Sequence, residues 1–238
     1  MLIVNNISYR HLLHHTQLAF EPGKLHGLLG PNGAGKTTFF KLLTGIWKPS
    51  SGEVLWNGKP LHTLDRRKLS QTISFVSQTP ITFPYHARQI VEMGRYPHGN
   101  TPCDNLIDWA IDAVNAAHFQ DRLMTELSQG EQQRILIARA LVTDTPILLL
   151  DEPTSHLDIT HQIQVWELLQ SLAESGKLIF TSSHNLTQAE RYCHEITLIK
   201  KGEILGQGKY HDLLYNGAFD KTFDMNVSKV QLMNSDVG

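Results

Sequence analysis

The sequence predicts an α/β fold: a mostly parallel sheet, an antiparallel β part near the N-terminus and a helical insertion in the middle. Three observations carry the prediction. An apolar run, LHGLLG, leads into the glycine-rich GPNGAGKTT and then into a helical pattern. From PILLLDEP onward, strand patterns alternate with helix patterns, as in parallel strands joined by crossover helices. Between these regions, residues from about 80 to 143 hold helical patterns cut by prolines, with no strong strand.

Taken in order, LIVNNISYR reads as a first strand, QLAFEPGKLHGLLG as a second strand-like run and GEVLWNGKPL as a third. Between the second and third, Phe39, Phe40, Leu42, Leu43 and Ile46 fit the core face of a helix. That helix starts in the glycine-rich loop and stops between Gly45 and Pro49. ISFVSQ (Ile73–Gln78) is a short buried strand. Pro80, Pro84, Pro97 and Pro102 then separate the helical segments ARQIVEMGR, DNLIDWAIDAVNAAHF and EQQRILIARALV. After them come the strand PILLLDEP, the helix ITHQIQVWELLQSLAES, the strand KLIFTSSH, the helix LTQAERYC and the hairpin EITLIKKGEILGQG. Residues 218–238 show weak periodicity and polar ends, the pattern of a frayed terminus. The expected organisation is one domain over residues 1–238, with a core from about 1–79 and 144–217, a helical subdomain over about 80–143, and a tail.

Composition narrows the function classes. With 41% apolar residues the chain can build a core, and a net charge of −2 gives no electrostatic reason to expect nucleic acid as a partner. No apolar run approaches the roughly 18 residues that span a bilayer, and no signal-peptide pattern opens the chain, so a soluble cytoplasmic protein is expected. Cys103 and Cys193 lie far apart, which argues against a disulfide or zinc framework. His11, His14 and His15 cluster in what reads as a polar loop between strands, without a carboxylate or cysteine at ligand spacing, and are assigned no metal.

The chemistry concentrates at strand ends. Gly30, Pro31, Asn32, Gly33, Ala34, Gly35, Lys36, Thr37 and Thr38 match GxxxxGK[ST], after a strand and before a helix. Glycines let backbone N–H groups curl around phosphates, and the helix N-terminus adds partial positive charge. Lys36 is placed to reach the β- and γ-phosphates, and the Thr37 hydroxyl to ligate Mg²⁺. The pattern indicates a nucleoside triphosphate without specifying the base, although no guanine-reading NKxD motif is visible. Asp151, ending PILLLD, lies at the carboxyl edge of the sheet, where it suits direct or water-mediated contact with Mg²⁺. Glu152 is the candidate to polarise an attacking water. Gln78 follows ISFVS at the boundary of the helical region, where its amide suits Mg²⁺ or the water. His184 ends KLIFTSSH and is expected on the same edge as Glu152, holding the water and transition-state charge. A second anion-binding helix start, ELSQGEQQRILIARAL, lies about 100 residues after the first.

GPNGAGKTT, Gln78, LSQGE, ILLLDEP, SHLD and His184, in that order, resemble the ATP-binding cassette (ABC) ATPases over nearly the whole chain. The resemblance implies a P-loop NTPase core that binds ATP and Mg²⁺, with Tyr9 stacked on adenine. It implies that Ser155, His156, Leu157 and Asp158 contact the opposite subunit. In this family two cassettes face each other head to tail, so Ser128, Gln129 and Gly130 would serve the nucleotide of a partner copy. Lys36, Glu152 and His184 would be the catalytic groups. Gln129 stands where Gly is common, Glu131 where Gln is common, and Asn185 where Asp is frequent.

The segment ITFPYHARQIVEMGRYPHG and the run TSHLDITHQ resemble importers of iron-siderophore complexes, haem and cobalamin. Phe83, Pro84, Tyr85, Tyr96 and Pro97 then form a candidate groove for a cytoplasmic helix of a membrane permease. The resemblance implies a homodimer, peripheral on the cytoplasmic face of the inner membrane, that energises a permease supplied by a solute-binding protein. Importers of zinc or manganese, and a soluble cassette for iron–sulfur assembly, are the alternatives.

Overall fold

Leu2, Val4 and Ile7 turn one face of β1 (Leu2–Tyr9) into the core, and all three are fully buried. β1 pairs antiparallel with β2 (Leu13–Phe20). The chain then crosses at Glu21–Lys24 into a different sheet with β3 (Leu25–Leu29), which is buried along its whole length. The computed structural model describes residues 1–79, 81–99 and 103–225, so the breaker positions Pro80 and Pro102 and the last 13 residues lie outside it. α1 (Lys36–Leu43) follows the glycine-rich loop, and β4 (Ser51–Trp56) and β5 (Lys59–Pro60) complete a four-stranded antiparallel sheet of order β2-β1-β4-β5.

α2 (Arg66–Thr72), capped by Asp65 accepting from the Lys68 N–H at 2.8 Å, returns the chain to β6 (Ile73–Val76). The helical insertion holds α3 (Ala87–Glu92), α4 (Asp104–Ala113) and α5 (Gln129–Val142), with short 3-10 turns between them. It is followed by β7 (Ile147–Leu150), α6 (Ile159–Glu174), β8 (Leu178–Ser183), α7 (Leu186–Tyr192), β9 (Glu195–Lys200) and β10 (Glu203–Gly208). α8 (Tyr210–Tyr215) and α9 (Ala218–Phe223) end the described chain. The second sheet has the order β10-β9-β3-β8-β7-β6; every pairing in it is parallel except the β9–β10 hairpin. Parallel strands covered on both faces are apolar throughout, which is why ILLL and LIF read as continuous runs.

The two faces of this sheet carry different cores. On one, Phe20, Phe39, Phe40 and Phe180 lock the antiparallel sheet and α1 against the parallel strands, with Phe20 and Phe180 centroids 4.6 Å apart. On the other, α5 and α6 pack with the rest of the insertion. Trp166 is fully buried there, stacked on Tyr192 at 5.5 Å while its indole N–H donates to Gln188 at 3.0 Å. Within the insertion, backbones also approach closely. A β-carbon on Gly94 would strike the carbonyl of Arg139, so α5 crosses the 3-10 turn Met93–His98, which follows α3, at near contact.

Three expectations need correction. QLAFEPGKLHGLLG is two strands in two sheets, because Glu21–Lys24 turns the chain between them. His14 and His15 lie within β2 rather than in a loop, pointing polar side chains along its exposed positions; only His11 sits in the turn. The start of the expected frayed tail is folded: α9 buries Phe219 completely beside Tyr210, Leu213 and Leu198. Weak periodicity misled because α9 has six residues, too few to show a helical stripe. Phe219→Ala is expected to cost about 3–5 kcal/mol of unfolding free energy, read from the urea midpoint.

Candidate nucleotide site

The glycine-rich loop is forced open by its neighbours. A β-carbon at Gly30 would fall on the carbonyl oxygen of Ile199, so the strand can pass β9 there only as glycine. Gly35 caps α1 with φ 106° and contributes no side-chain hydrogen bond, which leaves the first N–H groups of the helix for an anion. The Lys36 amine folds back over this loop, donating to the Gly30 carbonyl at 2.7 Å and the Pro31 carbonyl at 3.3 Å. Burial lowers its pKa, while Glu152 and Asp151 oppose that shift. Asn32, Gly33, Ala34, Thr37 and Thr38 join it along a cavity of about 730 Å³.

Asp151 meets this loop at the carboxyl edge of the sheet. It is 5% exposed, and its two oxygens accept from the Thr37 hydroxyl and the Ser182 hydroxyl, each at 2.6 Å. Ser182 also accepts the Glu152 N–H at 2.9 Å, so one hydroxyl fixes both acidic residues. Glu152 adopts φ 47°, a left-handed backbone. That turn brings one carboxylate oxygen 3.9 Å from the Lys36 amine and the other 3.3 Å from His184 Nδ1. Gln78, Asp151 and Glu152 all line the cavity. Thr37, Asp151 and Gln78 supply a set of oxygen donors of the kind that hard divalent cations take.

The remaining residues singled out in the sequence lie elsewhere. Ser128 caps α5, and a β-carbon on Gly130 would stand 2.7 Å from the His156 carbonyl oxygen. Gln129 borders a small separate cavity with Gln78, Gln133 and His156. Asp158 caps α6, accepting the His161 N–H at 2.9 Å, and its other oxygen meets His161 Nδ1 at 2.7 Å. Ser128, Gln129, Gly130 and Asp158 are thus outside the cavity that holds the phosphate loop. Tyr9 is outside it too. Its ring stacks on Trp47, centroids 5.2 Å apart at 17°, packed against the core.

Two turns missed in the sequence form the far wall: His11 and Leu12 between β1 and β2, and Lys201 and Gly202 between β9 and β10. Gly202 donates its N–H to the Ala34 carbonyl at 2.8 Å, which ties the second turn to the loop. Ser182 was missed as well. Its signal is the parallel register that pairs Leu150 with Thr181, so that Asp151 follows level with Ser182.

A free helix N-terminus, a buried lysine and a strand-end aspartate on the loop threonine define a nucleoside-triphosphate-binding α/β protein of the P-loop class. The chain belongs to the ABC transporter family, whose family model matches residues 13–155. It is 37% identical over 223 residues to a cobalamin import ATP-binding protein of Halobacterium salinarum, covering 91% of this chain. The chain spans only 56% of that relative's length. It is 31% identical to a petrobactin import ATP-binding protein of Bacillus anthracis, over 97% of this chain and 89% of that one. Its fold superposes on a bacterial ABC transporter cassette solved as a dimer, with TM-score 0.80 and 27% identity, covering 88% of this chain and 99% of the other.

Ser182→Ala leaves Asp151 with one buried partner fewer and frees the Glu152 N–H. Lost hydrogen bonds of about 1–2 kcal/mol are expected to weaken ATP binding roughly 5- to 30-fold, read by calorimetry, with the unfolding midpoint as the control.

Proposed function

We propose that this chain is the ATP-hydrolysing subunit of an importer, with iron-siderophore complexes, haem or cobalamin as the class of cargo. One observation carries the reading: Glu152 stands between Lys36 and His184 at the mouth of a cavity whose floor is the phosphate loop. Phosphates of ATP bind along the N–H groups of residues 33–38, displacing the Lys36 amine from the Gly30 and Pro31 carbonyls toward the β- and γ-phosphates. Thr37, Asp151 and Gln78 would hold Mg²⁺, which supplies neutralisation of phosphate charge when bound. Glu152 orients and polarises the attacking water, and His184, whose Nδ1 lies 3.3 Å from the same carboxylate, steadies it and the developing charge.

The relatives' names support import: they are import ATP-binding proteins for cobalamin, petrobactin, iron(3+)-hydroxamate and hemin. No helix among the described residues is long and apolar enough to cross a membrane. The membrane-crossing work therefore falls to a permease, with this chain peripheral on the cytoplasmic face and a solute-binding protein delivering cargo outside. The docking surface in this reading is the aromatic patch that follows Gln78, where Phe83 and Tyr96 are each 66% exposed and Tyr85 46%. Two copies of the chain would close head to tail, the Ser128–Gly130 turn of each over the ATP of the other, with Asp158 and its loop at the seam.

Glu152→Gln is expected to bind ATP while hydrolysing it about 10²- to 10⁴-fold more slowly, measured by phosphate release. Turnover near that of the unaltered chain overturns the role of Glu152. Tyr85→Ala and Tyr96→Ala are each expected to weaken permease capture about tenfold or more in a pull-down titration, as truncating interface anchors does. Cargo follows from uptake of labelled cobalamin, haem and ferric siderophore into cells lacking and then regaining this chain.

A further inference from the structure

We propose that Glu131 restrains the Ser128 hydroxyl and thereby sets how tightly two copies of this chain close over ATP. The inference rests on the head-to-tail dimer proposed above. One carboxylate oxygen of Glu131 accepts both the Ser128 backbone N–H and the Ser128 hydroxyl, each at 2.8 Å, and the Glu131 N–H donates back to the Ser128 hydroxyl oxygen at 3.3 Å. A serine hydroxyl has a single proton to give. While Glu131 takes that proton, Ser128 presents only lone pairs to whatever approaches α5, and a phosphate oxygen is itself an acceptor. Closing over a γ-phosphate therefore requires the hydroxyl to leave Glu131 and turn outward.

Charge works in the same direction. The first turn of α5 carries the partial positive charge that favours an anion, and Glu131 is its only acidic residue. Burial alone would raise the Glu131 pKa, but the Ser128 hydrogen bonds and the Arg122 and Arg134 charges outweigh it and hold it low. The carboxylate is thus ionised where the phosphate of the partner's nucleotide would arrive, and like charges at that range repel. Glu131 is a positioning residue that acts through Ser128.

A plain helix cap gives the same hydrogen bonds, so the test must separate capping from restraint. Glutamine at 131 keeps an acceptor at the third helical position while removing the charge, and weakens the hold on the hydroxyl. The full chain carrying Glu152→Gln, which retains ATP, is followed by sedimentation velocity with ATP and Mg²⁺ across chain concentration. Adding Glu131→Gln is expected to lower the dimer dissociation constant by about tenfold or more, with the melting midpoint without nucleotide unchanged. Adding Ser128→Ala to that pair is expected to remove most of the gain, leaving only the part that comes from the lost charge repulsion. An unchanged or weaker dimer with Glu131→Gln, or a gain that Ser128→Ala leaves undiminished, overturns the restraint while leaving the dimer standing. A Glu152→Gln chain that stays monomeric with ATP overturns the dimer, and the restraint with it.

Discussion

The buried carboxylate of Asp151 is the point on which the site depends. A charge 95% withdrawn from solvent must be hydrogen-bonded or neutralised, because an unpaired one costs several kcal/mol. Its two partners come from different elements, Thr37 from the start of α1 and Ser182 from the end of β8. One side chain therefore fixes three neighbouring pieces of the carboxyl edge relative to each other. Because Ser182 also receives the Glu152 N–H, the proposed water-polarising carboxylate inherits its position from the same anchor. The Phe20, Phe39, Phe40 and Phe180 cluster beneath holds α1 and β8 rigid enough for those hydrogen bonds to persist.

Much of this was legible because its cause is local. A glycine-rich loop between an apolar strand and a helix can be read from residues 25–43 alone, and so can the strand that ends in Asp151. The hairpin of β9 and β10 and the helical insertion followed from pattern in the same way. Ser182 was not legible, since its role exists only once β7 and β8 are paired in register. His11, Leu12, Lys201 and Gly202 belong to two turns far apart in sequence, which only the packing of the two sheets brings to one wall. Tyr9 stacks on Trp47, a neighbour that no spacing argument supplies. α9 escaped notice because one buried phenylalanine in six residues carries no period.

The placement of α5 explains why a single chain holds two helix starts of the same kind. β6 and β7 pair in parallel, so the chain must travel back across the sheet between them, and α5 makes the last part of that return. A helix returning between parallel strands begins near their carboxyl edge. α1 follows β3 directly and so begins at that edge too, although it leads on to β4 of the antiparallel sheet. The carboxyl edge of the parallel sheet thus sets both N-termini, although they face different volumes within one copy.

The left-handed backbone of Glu152 bears on how this sequence can drift. Only glycine, and to a lesser extent asparagine or aspartate, occupies that conformation without a steric penalty of about 1 kcal/mol or more. Selection for thermal robustness alone would therefore move this codon toward glycine, whereas the chemistry assigned to the position needs a carboxylate. The loop stores a standing tension between a tougher protein and a working one, and a library screened for heat resistance alone would be free to give up the carboxylate here.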